Sequence, residues 1–363
     1  MNGRGPAVLH LDGGRVWAGG QNQVRLLMRG LERRGVRQLC LCPAGSPLEA
    51  RLEAEGLPVR GVPWRGGLDP RAMVAIARAA DGYDVVHTHD AHALQVAILP
   101  ARARRVPIVA ARRVHFQTSA RKWNLADRVI AISETVRSAL VRSGVDPARI
   151  RPVPSGIDLA ELTALPPLRP SLRERLGIGA DGFLVGNIGH LHRYKGQAVI
   201  PPAAARLPGV HWAIVGEGPL RAELEAAIAG HGVKGRVHLA GFVPDARRAL
   251  REMDVFVFAS VDEPLGTSVL DAMAAGVPVI GADAAGSREI LAPVHEATGT
   301  SLYPPGDAER LAELVALLRA EPAARDAMVA AQYARLEAYR IERTVEATLG
   351  VYEELIACGE ASG

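Results

Sequence analysis

The sequence predicts an α/β protein of two Rossmann-like parallel-sheet domains, and three observations carry that reading. The chain has 363 residues, too many for one ordinary core and enough for two of similar size. Hydrophobic residues make up 48% but aromatics only 4%, so the core is built from Ala, Val, Leu and Ile. That composition suits helices packed on parallel strands, whose sequences read as unbroken apolar runs. Short apolar runs also alternate with amphipathic stretches along the chain, the pattern of βαβ units.

The elements follow in order. Ala7-Val8-Leu9-His10-Leu11 reads as a strand, followed by a loop with Asp12-Gly13-Gly14 and Gly19-Gly20. A helix is predicted over 21–34, with Val24, Leu27, Met28 and Leu31 on one face and Gly35 ending it. Strands are predicted at 38–42, 59–62, 85–89, 108–111 and 129–132, with a helix at 48–55. Ser133 caps a further helix carrying Val136, Leu140 and Val141. The pattern breaks over 154–176, where Pro166-Pro167-Leu168-Arg169-Pro170 reads as an interdomain linker. A second series predicts strands at 183–188, 211–215, 237–240, 255–259 and 277–281, then helices at 307–318, 323–336 and 342–357. The expected domains are 1–165 and 166–340, with 341–363 a helix packing back toward the first.

No apolar stretch approaches the roughly 20 residues that span a bilayer, and the opening Met1–Pro6 segment lacks the features of a signal peptide. Cys40 and Cys42 share one face of a strand and read as buried reduced thiols. The cytoplasm is the expected compartment. Residues 1–165 carry 24 Lys+Arg against 14 Asp+Glu, and the remainder 19 against 25. A basic first half implies either an anionic partner, including peripheral contact with the inner face of an anionic membrane, or arginines that merely solvate helix faces.

Polar clusters fall at the carboxyl ends of the predicted strands, where open α/β sheets bind ligands. After the strand at 255–259 comes Glu263, then Gly266-Thr267-Ser268 opening a helix, with Asp271 one turn in. Amide groups at such a helix start bind a diphosphate, and carboxylates accept hydrogen bonds from sugar and ribose hydroxyls. The alternative is that Thr267 or Ser268 caps the helix and Asp271 faces solvent. After the strand at 183–188 comes Gly189-His190-Leu191-His192-Arg193-Tyr194-Lys195-Gly196, whose cations suit a departing diphosphate. Gly216-Glu217-Gly218 lacks the third glycine of a dinucleotide fingerprint, which disfavours an NAD-dependent dehydrogenase. Gly19 and Gly20 allow close approach of a bulky group, or simply form a turn. His87-Thr88-His89-Asp90-Ala91-His92 looks like a metal cluster, but no further ligand stands at recognisable spacing, and no metal is expected. Arg112, Arg113, His115, Arg121 and Lys122, with Trp123, suit an anionic amphiphile or form an ordinary solvated loop.

The string Glu263, seven residues, then Asp271-Ala-Met-Ala-Ala-Gly276-Val-Pro278-Val279 resembles the signature of the retaining family 4 glycosyltransferases, including bacterial lipopolysaccharide and glycolipid relatives. The resemblance implies the GT-B fold, two Rossmann-like domains facing across a cleft. It implies retaining transfer of a sugar from a nucleotide-diphosphate sugar bound by the second domain. The acceptor, an anionic glycan, lipid or small molecule, is expected on the first. Neither cofactor nor nucleic acid is expected, and no Asp-x-Asp marks a metal site. By the same resemblance Glu263 contacts the donor hexose, Asp271 replaces the usual Glu at the ribose, and Lys195 meets the diphosphate. His190 stands at the family's arginine position, so that cation is lost, supplied by a protonated His190 or relocated to Arg193, the last being favoured. Gly189, Gly216 and Gly218 lie near the nucleotide, Phe242 and Val243 around the base, and Gly19 and Gly20 near the donor phosphates. His89, the second histidine of Asp84-Val-Val-His-Thr-His89, contacts the transferred sugar, while His87 is packed. Arg112, Arg113, His115, Arg121 and Lys122 fall in the acceptor loop. Two other readings stay open, a nucleotide-sugar 2-epimerase of the same fold and a non-catalytic nucleotide-sugar or lipid-binding homologue.

Overall fold

The structure is a computed structural model that describes residues 5–116 and 118–360. Residues 1–4, which open the segment read above for a signal peptide, lie outside it. The chain divides into two compact units, Met1–Gly156 with Arg340–Gly363, and Ile157–Tyr339.

The first unit holds seven parallel strands, β1 (Ala7–Leu11), β2 (Arg37–Pro43), β3 (Val59–Val62), β4 (Val85–Thr88), β5 (Ile108–Arg112), β6 (Arg128–Ala131) and β7 (Ile150–Pro152). Their order is β3-β2-β1-β4-β5-β6-β7. The second unit holds β8 (Phe183–Ile188), β9 (Val210–Val215), β10 (Val237–Gly241), β11 (Val255–Phe258), β12 (Val279–Ala282) and β13 (Leu302–Tyr303), ordered β10-β9-β8-β11-β12-β13. Strand order reverses direction between β1 and β4 in one sheet, and between β8 and β11 in the other. Successive connections leave on opposite faces at such a point and open a crevice at the strand ends. Strands β1, β4, β5, β11 and β12 are buried along their whole length, as apolar runs require.

Two sequence expectations change. Gly19 and Gly20 are the first turn of the helix Gly19–Glu32 rather than a loop before it. Ala18 is the extended N-cap, and its carbonyl accepts from the Asn22 amide at 3.1 Å. The domain break falls at Gly156/Ile157, nine residues before the proline-rich stretch, and the chain returns to the first unit at Arg340. The helix Leu159–Ala164 already belongs to the second unit, because Arg251 donates to the carbonyls of Leu162 (3.3 Å) and Thr163 (2.9 Å). Arg248 likewise donates to the carbonyls of Pro166 and Pro167. Proline lacks an amide proton but keeps its acceptor, so arginines strap this stretch down and it does not act as a free linker.

The helix Ile341–Glu360 is part of the first unit. Val345 rests where Gly30 has no side chain, and Glu354 bridges Arg128 of β6 and Arg151 of β7. Val8, Leu27, Leu31, Val109, Ile130, Val345 and Tyr352 form one core, and Cys40 and Cys42 are buried free thiols in its neighbour. In the second unit Val185, Trp212, Ile214, Val257, Ile280 and Leu314 share a core that covers β8, β9, β11 and β12. Among the described residues no helix is long and apolar enough to cross a membrane.

Candidate functional site

The crevice between β8 and β11 carries the charged groups. Lys195 follows β8 and Glu263 follows β11, and Lys195 Nζ lies 2.6 Å from Glu263 Oε2. Their side chains are only 15% and 22% exposed, so water and salt screen this pair less than a surface pair. The two loops are tied together by backbone. The Val261 amide donates to the Tyr194 carbonyl at 2.9 Å, and Gly196, at φ +64°, brings its Cα against the Ala259 carbonyl. Any side chain at position 196 would be strained in that left-handed conformation and would strike that carbonyl. Beneath, buried Gln197 donates to Asn187 and to the carbonyl of His190, and Asn187 donates to Val257 of β11.

Glu263 leads into the helix Thr267–Ala274, whose N-cap is Gly266 at φ +89° above the Phe258 ring. No side chain caps this helix, so neither Thr267 nor Ser268 plays the capping role left open above. Its first amides keep their affinity for an anion. Asp271 does not face open solvent either. It lines a cavity of about 280 Å³ with Arg247, Leu162, Leu165 and Leu250. Burial, with Asp245 and Glu161 nearby, pushes its carboxyl up to about 7 against the opposing pull of Arg247.

Other predicted donor residues divide. Gly216 and Gly218 lie against the backbones of Gly189 and Leu191, and the Gly189 amide donates to Val215. They press the loop after β9 onto the loop that carries Lys195. Val243 is buried, whereas Phe242 is 72% exposed. Arg193 is not brought to Lys195. It is 79% exposed and pairs with Glu223 at 3.3 Å. His190 is exposed and stacks on His192 at 6.2 Å.

The crevice between β1 and β4 is built differently. His89 is buried, and its Nε2 lies 3.0 Å from His10 Nδ1, while His87 Nδ1 meets the Tyr352 hydroxyl at 2.6 Å. Burial lowers all three histidines, His10 to about 3, so all are neutral at pH 7. His87 is the packed strand residue expected. Nitrogens of His10, His87 and His89 lie within 4.8 Å of one another, whereas His92 is exposed at its helix start and does not join them. Within the group only His10 and His89 are bonded to each other, His87 turning to Tyr352, and after burial the neighbouring histidines and the Arg113 charge further disfavour protonation of His87 and His89.

Beside it, buried Asp12 accepts from the Gly14 amide (2.8 Å) and from Gln21, and Asp90 accepts from the amides of Gly13, His92 and Ala93. Burial and Asp90 push Asp12 up to about 6, and burial lowers Arg113 to about 10. The two carboxylates favour the charged form of Arg113, which burial opposes. Arg112 is also turned inward, donating to the Phe116 carbonyl at 2.7 Å and lying 5.1 Å from the Trp123 ring. Lys122 approaches the same ring at 6.0 Å, His115 packs on Phe116, and Arg121 is exposed.

Sequence reasoning missed His10, Tyr352, Gln197 and Arg247. His10 had a signal, as the single polar residue of an otherwise apolar strand. The others act through partners 10 to 265 positions away in sequence, and no local pattern marks them.

Two Rossmann-like units, one with a cation–carboxylate pair at the ends of the strands where strand order reverses, define an α/β protein of GT-B type. Residues 17–161 match Glycosyltransferase Family 4 and residues 169–335 match Glycosyl transferases group 1. The chain is 30% identical over 358 residues to a D-inositol 3-phosphate glycosyltransferase of Xylanimonas cellulosilytica, a match covering 88% of this chain and 82% of that one. It belongs to the family 4 glycosyltransferases. The lipopolysaccharide core biosynthesis glycosyltransferase LpsE of Rhizobium meliloti is 33% identical over 153 residues, covering 42% of this chain and 44% of LpsE. The chain spans about half the length of the first curated relatives it matches. Among solved structures, Anabaena HepE in complex with UDP superimposes with a TM-score of 0.82 at 23% identity, covering 96% of this chain and all of HepE, a likeness of fold.

Proposed function

We propose that the chain is a retaining glycosyltransferase that takes a sugar from a UDP sugar bound at the end of β8 and β11. The observation that carries this reading is the Lys195–Glu263 pair at 2.6 Å beside the uncapped helix start at Thr267. When donor enters, Lys195 and the helix amides take the diphosphate, and Glu263 turns to hydroxyls of the transferred sugar. Fixed donors aimed at growing negative charge on a leaving group stabilise the transition state without reorganisation. No metal is assigned to that task. Asp271 takes the ribose hydroxyls, and the departing diphosphate removes the acceptor proton during front-face attack. The HepE structures with UDP and UDP-glucose motivate uridine as the base.

The acceptor, an anionic glycan, lipid or small molecule, is assigned to the first unit. There the helix start at Gly19 and Gly20 offers amides to an anion, and His89 is assigned, by the family pattern, to the transferred sugar. Peripheral contact with the cytoplasmic membrane face is part of the proposal, supported by the basic balance of residues 1–165.

Slow donor hydrolysis tests it. A screen of UDP, GDP and ADP sugars should release UDP from one donor, with the sugar's anomeric configuration kept and turnover lost in Glu263→Gln. Failure to hydrolyse or bind any of them would overturn the reading, and conversion of a donor to its 2-epimer would replace it.

A further inference from the structure

An open pocket of about 690 Å³ lies at the amino ends of β5, β6 and β7, the end of the first unit's sheet opposite its strand-end crevice. Pro107, Asp127 and Arg149 each precede one of these strands, and Leu355 of the C-terminal helix forms the far wall. Four arginines line it, Arg102, Arg105, Arg128 and Arg149, against two carboxylates, Asp127 and Asp146. Backbone amides already occupy both acids. Asp127 accepts from Ile108 at 2.8 Å, and Asp146 accepts from Ala148 at 2.9 Å.

Arg102 and Arg149 stand 3.6 Å from these carboxylates, outside hydrogen-bond distance. Carbonyls hold them instead, Leu125 for Arg102 at 2.8 Å and Ala126 for Arg149 at 3.0 Å. A carbonyl fixes a guanidinium in place and leaves its charge intact. Arg128 donates to the Asp127 carbonyl and pairs with Glu354, but Glu354 is shared with Arg151. Positive charge is therefore in excess, on cations that are already oriented.

Arg105 supplies an independent observation. Four helices of the first unit end with an amide bonded to the carbonyl five residues back: Val36 to Leu31, Leu57 to Leu52, Val145 to Leu140 and Val106 to Ala101. The residue before that amide is glycine in three of them, Gly35, Gly56 and Gly144, all at positive φ. In the fourth it is Arg105, at φ +56°. Any side chain is strained in that conformation, where glycine is not. Among the described residues the Arg105 side chain has no hydrogen-bond or ion-pair partner, so no polar contact within the protein offsets the strain. A strained residue that brings an unsatisfied cation to a pocket points to a ligand.

We propose that this pocket binds a phosphate monoester, its phosphate held by Arg105 with Arg102 and Arg149, its organic part against Val106, Pro107 and Leu355. Guanidinium forks match phosphate oxygens in pairs, and a dianion complements the excess charge. The volume is that of a small-molecule site and exceeds what a bare ion needs. Bound there, the ligand joins the C-terminal helix to the sheet edge through residues that neither crevice uses. The phosphate arrives on a free metabolite or on a lipid headgroup, and the test separates the two.

Calorimetry of the intact protein with glycerol 3-phosphate, with UDP present in excess and in about 0.15 M salt, reads the free form. Co-sedimentation with phosphatidylcholine vesicles containing phosphatidic acid reads the headgroup. Arg105→Gly is the decisive variant, because glycine suits the helix end and removes only the guanidinium. Its melting temperature without ligand should equal or exceed that of wild type, while affinity for the bound probe falls about tenfold or more. Arg149→Gln should weaken the same binding, and UDP affinity should be unchanged in both variants. Arg105-dependent binding of either probe supports the site, and the probe that binds identifies the carrier. Binding of neither probe by wild type, or binding undiminished in Arg105→Gly, would overturn the inference. UDP titration reads the donor crevice separately, so failure here leaves that reading standing.

Discussion

The two crevices share a topology and differ in charge. Each lies where strand order reverses, β1 against β4 in one sheet and β8 against β11 in the other. In the second unit the reversal holds an ionised pair, Lys195 and Glu263, at a partly open surface. In the first it holds neutral histidines sealed from water, with a carboxylate pair facing Arg113. The topology supplies a place for ligands, and burial decides which chemistry that place supports. A diphosphate needs exposed, permanently charged partners. Uncharged sugar hydroxyls are better met by neutral, desolvated groups whose hydrogen bonds do not compete with water.

Four perturbations sharpen that contrast, beginning with the largest. Lys195→Ala should reduce kcat/KM by about 10²–10³, the scale of losing one preorganised donor to a developing anion. A loss under about threefold in steady-state transfer would deny the second crevice its charge role. Acid should strike the first unit next. Its three histidines are held below the unfolded value of 6.5, so the unfolded state binds more protons as pH falls below 6.5. Stability is full above that value and declines beneath it by up to about 1.4 kcal/mol per histidine per pH unit. Asp12, raised to about 6, works the other way, and only between about 4 and 6. A urea midpoint at pH 5.5 well below that at pH 7.5 is expected in Trp212→Phe, whose remaining tryptophans, Trp17, Trp64 and Trp123, all lie in the first unit. An unchanged midpoint would contradict the neutral cluster.

Gly196→Ala should cost about 1–2 kcal/mol for its left-handed backbone alone, and more from the Ala259 carbonyl. Thermal unfolding would read the loss, and a variant as stable as wild type would show that the two loops are not locked as described. Tyr352→Phe should cost least, about 1 kcal/mol for the bond to His87, with UDP affinity unchanged.

Much of this was legible in the sequence, and the exceptions have physical causes. The strands were readable because both faces are buried, so apolar runs such as Val255–Phe258 mark them without periodicity. The helix start at Gly19 was not, because glycine is a poor helix former and tertiary packing overrides its propensity. Prolines at 166–170 read as a linker because their fit to the second unit depends on Arg248, whose role no local pattern discloses. At the site, Lys195 and Glu263 were legible as charges at strand ends. Arg193 was favoured as the relocated cation because His190 holds the family's arginine position, but the 3-10 turn that carries it, Arg193–Lys195, sends its side chain outward to Glu223.

The central claim is that nucleotide affinity resides in the second crevice and not in the first. Calorimetry with UDP on wild type, Lys195→Ala and His89→Ala tests it directly. The account predicts that Lys195→Ala weakens UDP binding by about tenfold or more, which is 1.4 kcal/mol, and that His89→Ala leaves it unchanged. Equal UDP affinity in Lys195→Ala and wild type, with binding lost in His89→Ala, would contradict it.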